Sequence, residues 1–114
     1  MKISKICELV NGSIVCGESK KDEEVEYAFA SDLMSDVLTV RSGNFILITG
    51  LANVQSVRTA EMSDVSFMLV CRDKEVTPAM IEVADESNIL IVRSPFSMFR
   101  CSGILFKEGL KPVF

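Results

Sequence analysis

Three short apolar runs constrain this chain more than any other feature. Phe45–Thr49 (FILIT), residues 65–71 (VSFMLVC) and residues 89–92 (ILIV) carry no charged side chain, and each is too short for a typical helix. Continuous apolar runs of this length are what strands buried on both faces require. The segments between them read as helices. Asn53 offers a capping oxygen ahead of a predicted helix from Val54 to about Met62. Thr77 stands directly before Pro78, so a capping hydroxyl and a first-turn proline together predict a helix from Pro78 to about Glu86. Strand, helix, strand, helix, strand, helix with short links is the pattern of parallel strands joined by right-handed helical crossovers.

The rest of the chain extends this pattern at both ends. Ile3, Ile6, Cys7 and Val10 repeat at the spacing of one helical face, and Asn11-Gly12 supplies a left-handed stop. Residues 13–16 predict a brief strand ended by Gly17. Residues 25–30 predict another, with Val25, Tyr27 and Phe29 on one face. Ser42-Gly43-Asn44 is a turn signal. Ser94-Pro95 repeats the cap-then-proline device, so the last helix is expected from Pro95, with Phe96, Met98 and Phe99 near the core and a stop at Gly109. The expected fold class is α/β: one compact domain over residues 1–114, with a mixed, mostly parallel sheet and flanking helices.

Ligands of open α/β folds bind outside the carboxyl ends of parallel strands, where helix amino termini also offer free N–H groups. That rim is expected to carry Thr49 and Gly50 after one strand, Arg72 after the next, and Arg93 and Ser94 after the third. Asn53 follows three residues after Gly50, and Asp32 follows the strand predicted over residues 25–30. These seven residues form the candidate ligand-binding set, and each has two readings. Asp32 belongs to a doubled Ser-Asp pattern (31–32 and 35–36), which fits two caps around a short helix or a polar ligand contact. Gly50 and Asn53 fit a plain strand-to-helix turn or a site for a weak anion. Arg72 and Arg93 fit an anionic ligand, an acidic neighbour or a subunit contact. Arg58 is a weaker candidate on the following helix.

Composition removes several function classes. The chain has no histidine, which excludes Ser-His-Asp and Cys-His catalysis and imidazole metal sites. TGLANVQSV has one glycine and no lysine, so it is neither a P-loop nor a G-x-G-x-x-G turn. The four cysteines contain no C-x-x-C pair and read as reduced core residues. No catalytic residue, metal or cofactor is expected. Net charge is −4 with no basic run, which argues against nucleic acid as a partner. The mixed-sign stretch KKDEEVE (20–26) reads as a solvated loop or, alternatively, a partner-binding segment. The amino terminus lacks the apolar length of a secretory signal, and no run approaches the roughly 20 residues of a membrane helix, so a cytoplasmic location is expected.

The words ELVNGSIVCGE, YAFASDLMSDVLTV, ILITGLANVQSVRTAEMSDVSFMLV and VADESNILIVRSPFSMFRCSGILF resemble the DRTGG domain family across nearly the whole chain. Relatives in that family include the amino-terminal domain of HPr kinase/phosphorylase and regulatory segments of some phosphotransacetylases and CBS-containing pyrophosphatases. The namesake pentapeptide is absent here. The resemblance implies an HPr kinase amino-terminal-domain-like α/β fold and an accessory role, because the kinase chemistry of that enzyme belongs to a separate P-loop domain.

Two functions follow as expectations. The first is a non-enzymatic regulatory or ligand-sensing domain that binds a small anionic, nucleotide-like or phosphorylated molecule and acts as a homodimer. The second is a protein–protein interaction module without a small ligand, suggested by the acidic balance and the apolar carboxyl-terminal KPVF. The homodimer is expected because Phe96, Phe99, Ile104, Leu105 and Phe106 spread over more than one face of the last helix.

Overall fold

The computed structural model describes residues 1–41 and 43–114. The serine of the predicted Ser42-Gly43-Asn44 turn lies outside the described residues. The helices are α1 (Ile3–Leu9), α2 (Met34–Val37), α3 (Val54–Met62), α4 (Pro78–Glu86) and α5 (Met98–Lys107). The strands are β1 (Ser13–Cys16), β2 (Tyr27–Ala30), β3 (Phe45–Thr49), β4 (Phe67–Val70), β5 (Leu90–Arg93) and β6 (Lys111–Pro112). They form one sheet in the order β1-β5-β4-β3-β2-β6. Strands β2 to β5 are mutually parallel, β6 joins β2 in parallel, and β1 pairs antiparallel with β5. The mixed, mostly parallel α/β sheet expected from the sequence is the one observed.

Alternation along the strands creates two cores. Phe45, Leu47, Met68, Val70 and Ile91 face α2, α3 and α4, where they meet Val37, Val57, Ala60, Met80, Val83 and Ala84. Ile46, Ile48, Phe67, Leu69, Leu90 and Val92 face α1 and α5, where they meet Ile3, Ile6, Val10, Cys101 and Leu105. The sheet is therefore the middle of three layers, which is why its central strands are apolar on both faces. Each large side chain so buried contributes roughly 1.5–3 kcal/mol.

Local signals explain most helix boundaries. Asn53 Oδ1 accepts from the Ser56 N–H, and Thr77 Oγ1 from the Met80 N–H, as the capping patterns predict. Asn11 takes the left-handed conformation after α1, with φ of 52°. Four expectations are corrected. The cap of α5 is Ser97, whose hydroxyl accepts from the Arg100 N–H. Ser94 instead donates to the Val10 carbonyl and receives the Phe96 N–H, so the helix starts three residues later than the proline suggested. Phe99 does not reach the core: it is 89% exposed, on the face of α5 turned away from the buried Cys101 and Leu105. The Ser-Asp pairs do not cap α2, whose preceding residue Leu33 makes no side-chain capping bond. Finally, Val25 lies before β2 and packs on the opposite side from Tyr27 and Phe29.

The carboxyl terminus holds an element with no sequence signal. Lys111 and Pro112 extend the sheet beside β2, and the Lys111 Nζ pairs with Glu26 Oε1 at 2.9 Å across the exposed edge. A two-residue edge containing proline is a poor template for further strand addition. Among the described residues no helix is long and apolar enough to cross a membrane.

Gly17 makes the tightest approach among the glycines. Its φ is +76°, and a Cβ there would stand 2.6 Å from Leu90 Cα and 3.0 Å from the Ile89 carbonyl oxygen. Gly17→Ala is expected to destabilise the protein by about 1–3 kcal/mol through backbone strain and displacement of β5, read as a lowered urea midpoint.

Candidate functional site

The register of the parallel strands brings their ends together. Ile48 stands beside Ala30, Thr49 beside Val70, and Val70 beside Arg93. The residues immediately after these strands therefore share one rim. A cleft of about 320 Å³ opens there, lined by Asp32, Gly50, Cys71, Arg72, Lys74, Ser97, Met98 and Phe99. Its volume falls at the lower end of the range for small-molecule sites.

One wall is built by Asp32. Its Oδ1 accepts the Thr49 hydroxyl at 3.0 Å and the Gly50 N–H at 2.6 Å. Thr49 Oγ1 in turn accepts the Leu51 N–H. These bonds turn the chain from β3 towards α3. Gly50 is not among the residues with positive φ, and a Cβ there would meet the Asp32 carboxylate at 3.4 Å, an ordinary contact. The Thr-Gly break is thus a turn held by a carboxylate from the neighbouring strand's end.

Cationic residues also line the cleft, after β4. Arg72 and Asp73 both adopt left-handed backbone, with φ of 62° and 57°. Such a pair is costly for residues with side chains and persists where its surroundings hold it. Here the Arg72 N–H donates to the Phe96 carbonyl at 2.7 Å, and the Asp73 N–H donates to the Ser94 carbonyl at 2.8 Å. Arg93 completes the clamp: one guanidinium nitrogen donates to the Asp73 carbonyl at 2.8 Å and lies 3.4 Å from its carboxylate. The turn projects Arg72 into the cleft. Among the described residues Arg72 and Lys74 pair with no acid. The amino terminus of α5 lies at the same cleft through Ser97, Met98 and Phe99, adding a partial positive charge.

Three of the seven sequence candidates, Asp32, Gly50 and Arg72, line the cleft. Thr49 is buried just beneath Asp32. Asn53 caps α3, Ser94 is buried between α1 and α5, and Arg93 is engaged with Asp73. Sequence reading missed Lys74, Ser97 and Phe99. Lys74 sits in a loop without a distinctive pattern, and Phe99 is an aromatic residue that the sequence places near the core but the helix turns outward. Cys71 forms part of the lining. The neighbouring Cys101 thiol, and then burial, push its thiol above the ordinary range, so it remains a neutral surface rather than a thiolate. Among the described residues no group of three or more His, Cys, Asp or Glu is placed to hold a metal ion.

Because Asp32 ties the ends of β2 and β3 together from an exposed position, Asp32→Ala is expected to cost about 1 kcal/mol, whereas Asp32→Asn should cost less by retaining an acceptor. Urea denaturation of the two variants measures the difference.

Comparison with known proteins agrees with the geometry at the level of fold. No family model matches the chain, and no curated protein matches it. Among solved structures it is similar to the CBS and DRTGG domains of the regulatory region of Clostridium perfringens pyrophosphatase, determined in complex with the activator diadenosine tetraphosphate. The TM-score is 0.77 at 18% sequence identity, with 98% of this chain and 48% of that chain covered. This chain therefore spans about half the length of that regulatory region and shares a DRTGG-like α/β fold with it.

Proposed function

We propose that residues 1–114 act as one DRTGG-like regulatory unit that senses a nucleotide-like anion in the strand-end cleft, without catalysing a reaction, and that the unit works as a homo-oligomer. The observation that carries this reading is the gathering of Arg72, Lys74, the start of α5 and the Asp32 carboxylate around one cleft. A bare anion would be attracted by the two cations and repelled by the carboxylate. A nucleotide satisfies both, with phosphate towards Arg72 and Lys74 and a sugar or base donor towards Asp32. Phe99, 89% exposed at the same cleft, offers a flat apolar surface on which a base can stack. Support also comes from the similar pyrophosphatase regulatory region, whose structure was determined with a dinucleotide activator.

The groups that could do chemistry here are otherwise occupied. The Ser97 hydroxyl accepts a backbone N–H, and the Cys71 thiol is held protonated. A nucleophile needs an adjacent base, and the sequence offers no histidine for that role.

A second reading, a protein-interaction module, is favoured by a separate apolar cleft of about 260 Å³ lined by Phe29, Leu105, Phe106, Val113 and Phe114. A thermal-shift screen with adenosine mono- and triphosphate, diadenosine tetraphosphate and inorganic phosphate distinguishes the two readings. At a hundredfold excess over Kd, a bound nucleotide is expected to raise Tm by on the order of 10 °C. Arg72→Glu with Lys74→Glu should weaken that binding by roughly 10- to 100-fold through loss of charge-assisted bonds. A flat screen against every nucleotide sinks the ligand-sensing reading in favour of the interaction module.

A further inference from the structure

We infer that the outer face of α5 is a two-fold interface between copies of this chain, centred between Ser102 and Gly103 and bordering the ligand cleft. The inner face of α5 is fully engaged, with Cys101 and Leu105 at 0% and 1% exposure. Among the described residues nothing covers the outer face, and only the cleft that Ser102 and Phe106 share with Val113 and Phe114 adjoins it. Phe99 and Phe106 are 89% and 68% exposed, and a Cβ built on Gly103 meets nothing within 4 Å.

The order of residues on that face points to a second copy as its occupant. Phe99, Ser102, Gly103 and Phe106 fall at i, i+3, i+4 and i+7, the spacing of a single helical stripe. The sequence along the stripe is large, small, small, large, and it reads the same in both directions about the midpoint of 102 and 103. An antiparallel pairing on a two-fold axis through that point sets Phe99 against Phe106 of the partner subunit, twice. The small residues between them allow the two backbones to approach closely. An isologous contact requires this kind of self-complementarity, whereas an unrelated partner would not.

The area is adequate. Phe114 is 81% exposed and lines the same apolar cleft as Phe106, so it extends the patch to the carboxyl terminus. At roughly 200 Å² per side chain, the three phenylalanines present about 480 Å² of apolar surface per copy. A standard interface buries roughly 800 Å² per partner, so these aromatics supply more than half, and the stripe and cleft walls adjoin them. Phe99 also lines the ligand cleft, so the partner subunit would stand at its rim. Any coupling between ligand and dimer rests on the ligand-sensing reading; the interface does not.

Charge gives the pairing a distinctive signature. Arg100 and Lys107 are exposed and lie seven residues apart along one flank of the stripe. In an isologous antiparallel pair the same flank of each helix meets, so these cations repel across the rim. Added salt screens that repulsion and should tighten association at least about twofold. An acidic partner docked on the same flank would show the opposite trend.

Sedimentation equilibrium of the full chain without nucleotide, from micromolar to millimolar concentration, tests the proposal. A dimer is expected, strengthened by sodium chloride. Gly103→Glu should weaken it at least tenfold while leaving the circular dichroism spectrum of the folded chain essentially unchanged, because the new side chain enters open space. Ser102→Ala, which keeps the waist small, should remain dimeric. A wild-type monomer at millimolar concentration overturns the interface. So does a dimer that survives Gly103→Glu, or one that salt dissociates. Since these measurements contain no nucleotide, a flat nucleotide screen removes the ligand reading and leaves the interface standing.

Discussion

Continuous in-register hydrogen bonding among four parallel strands is the constraint on which everything else depends. Once Ala30, Ile48, Leu69 and Val92 align across β2 to β5, the strand ends cannot diverge, and whatever follows them must share one rim. The two apolar faces of these strands then require cover on both sides. Helices α2, α3 and α4 cover one face, and α1 and α5 cover the other. The link from β5 through α5 to β6 must cross the sheet to its far edge, which brings the start of α5 over the strand ends and its outer face to the surface.

The cleft shows how a rim becomes a site. Its acidic and cationic linings are made by the same hydrogen bonds that hold the turns: Asp32 fixes the exit of β3, and the Phe96 and Ser94 carbonyls hold the left-handed exit of β4. Arg93 acts through Asp73, positioning the turn that presents Arg72. The surface ion pair itself contributes little energy. Its geometric role is larger, since it bonds to the backbone of a strained residue.

The resemblance to the DRTGG family and the likeness to a pyrophosphatase regulatory region agree on fold. Function rests on the side chains. Here they combine opposed charges, a helix amino terminus and an exposed ring within a volume suited to a small molecule. The outer stripe of α5 adds a surface that a second copy can match, and Phe99 belongs to both features.

The sequence by itself determined the elements whose signals are local. FILIT is a central strand because it is uncharged throughout and apolar from Phe45 to Ile48, and α3 and α4 begin where Asn53 and Thr77 offer an oxygen to the N–H three residues on. It also placed Gly50 and Arg72 on the same rim, because parallel strands have only one carboxyl edge. Only the tertiary structure decided what depends on partners distant in sequence. Ser94 does not cap α5: its hydroxyl donates to the Val10 carbonyl 84 residues away and accepts the Phe96 N–H, and Ser97 caps the helix instead. Asp32 became the support of a turn 18 residues away, and Lys111 and Pro112 became a strand only because β2 presented an open edge. Short-range spacing can specify a backbone hydrogen bond within a turn of helix, but the competition between bonds far apart in the chain is settled by packing.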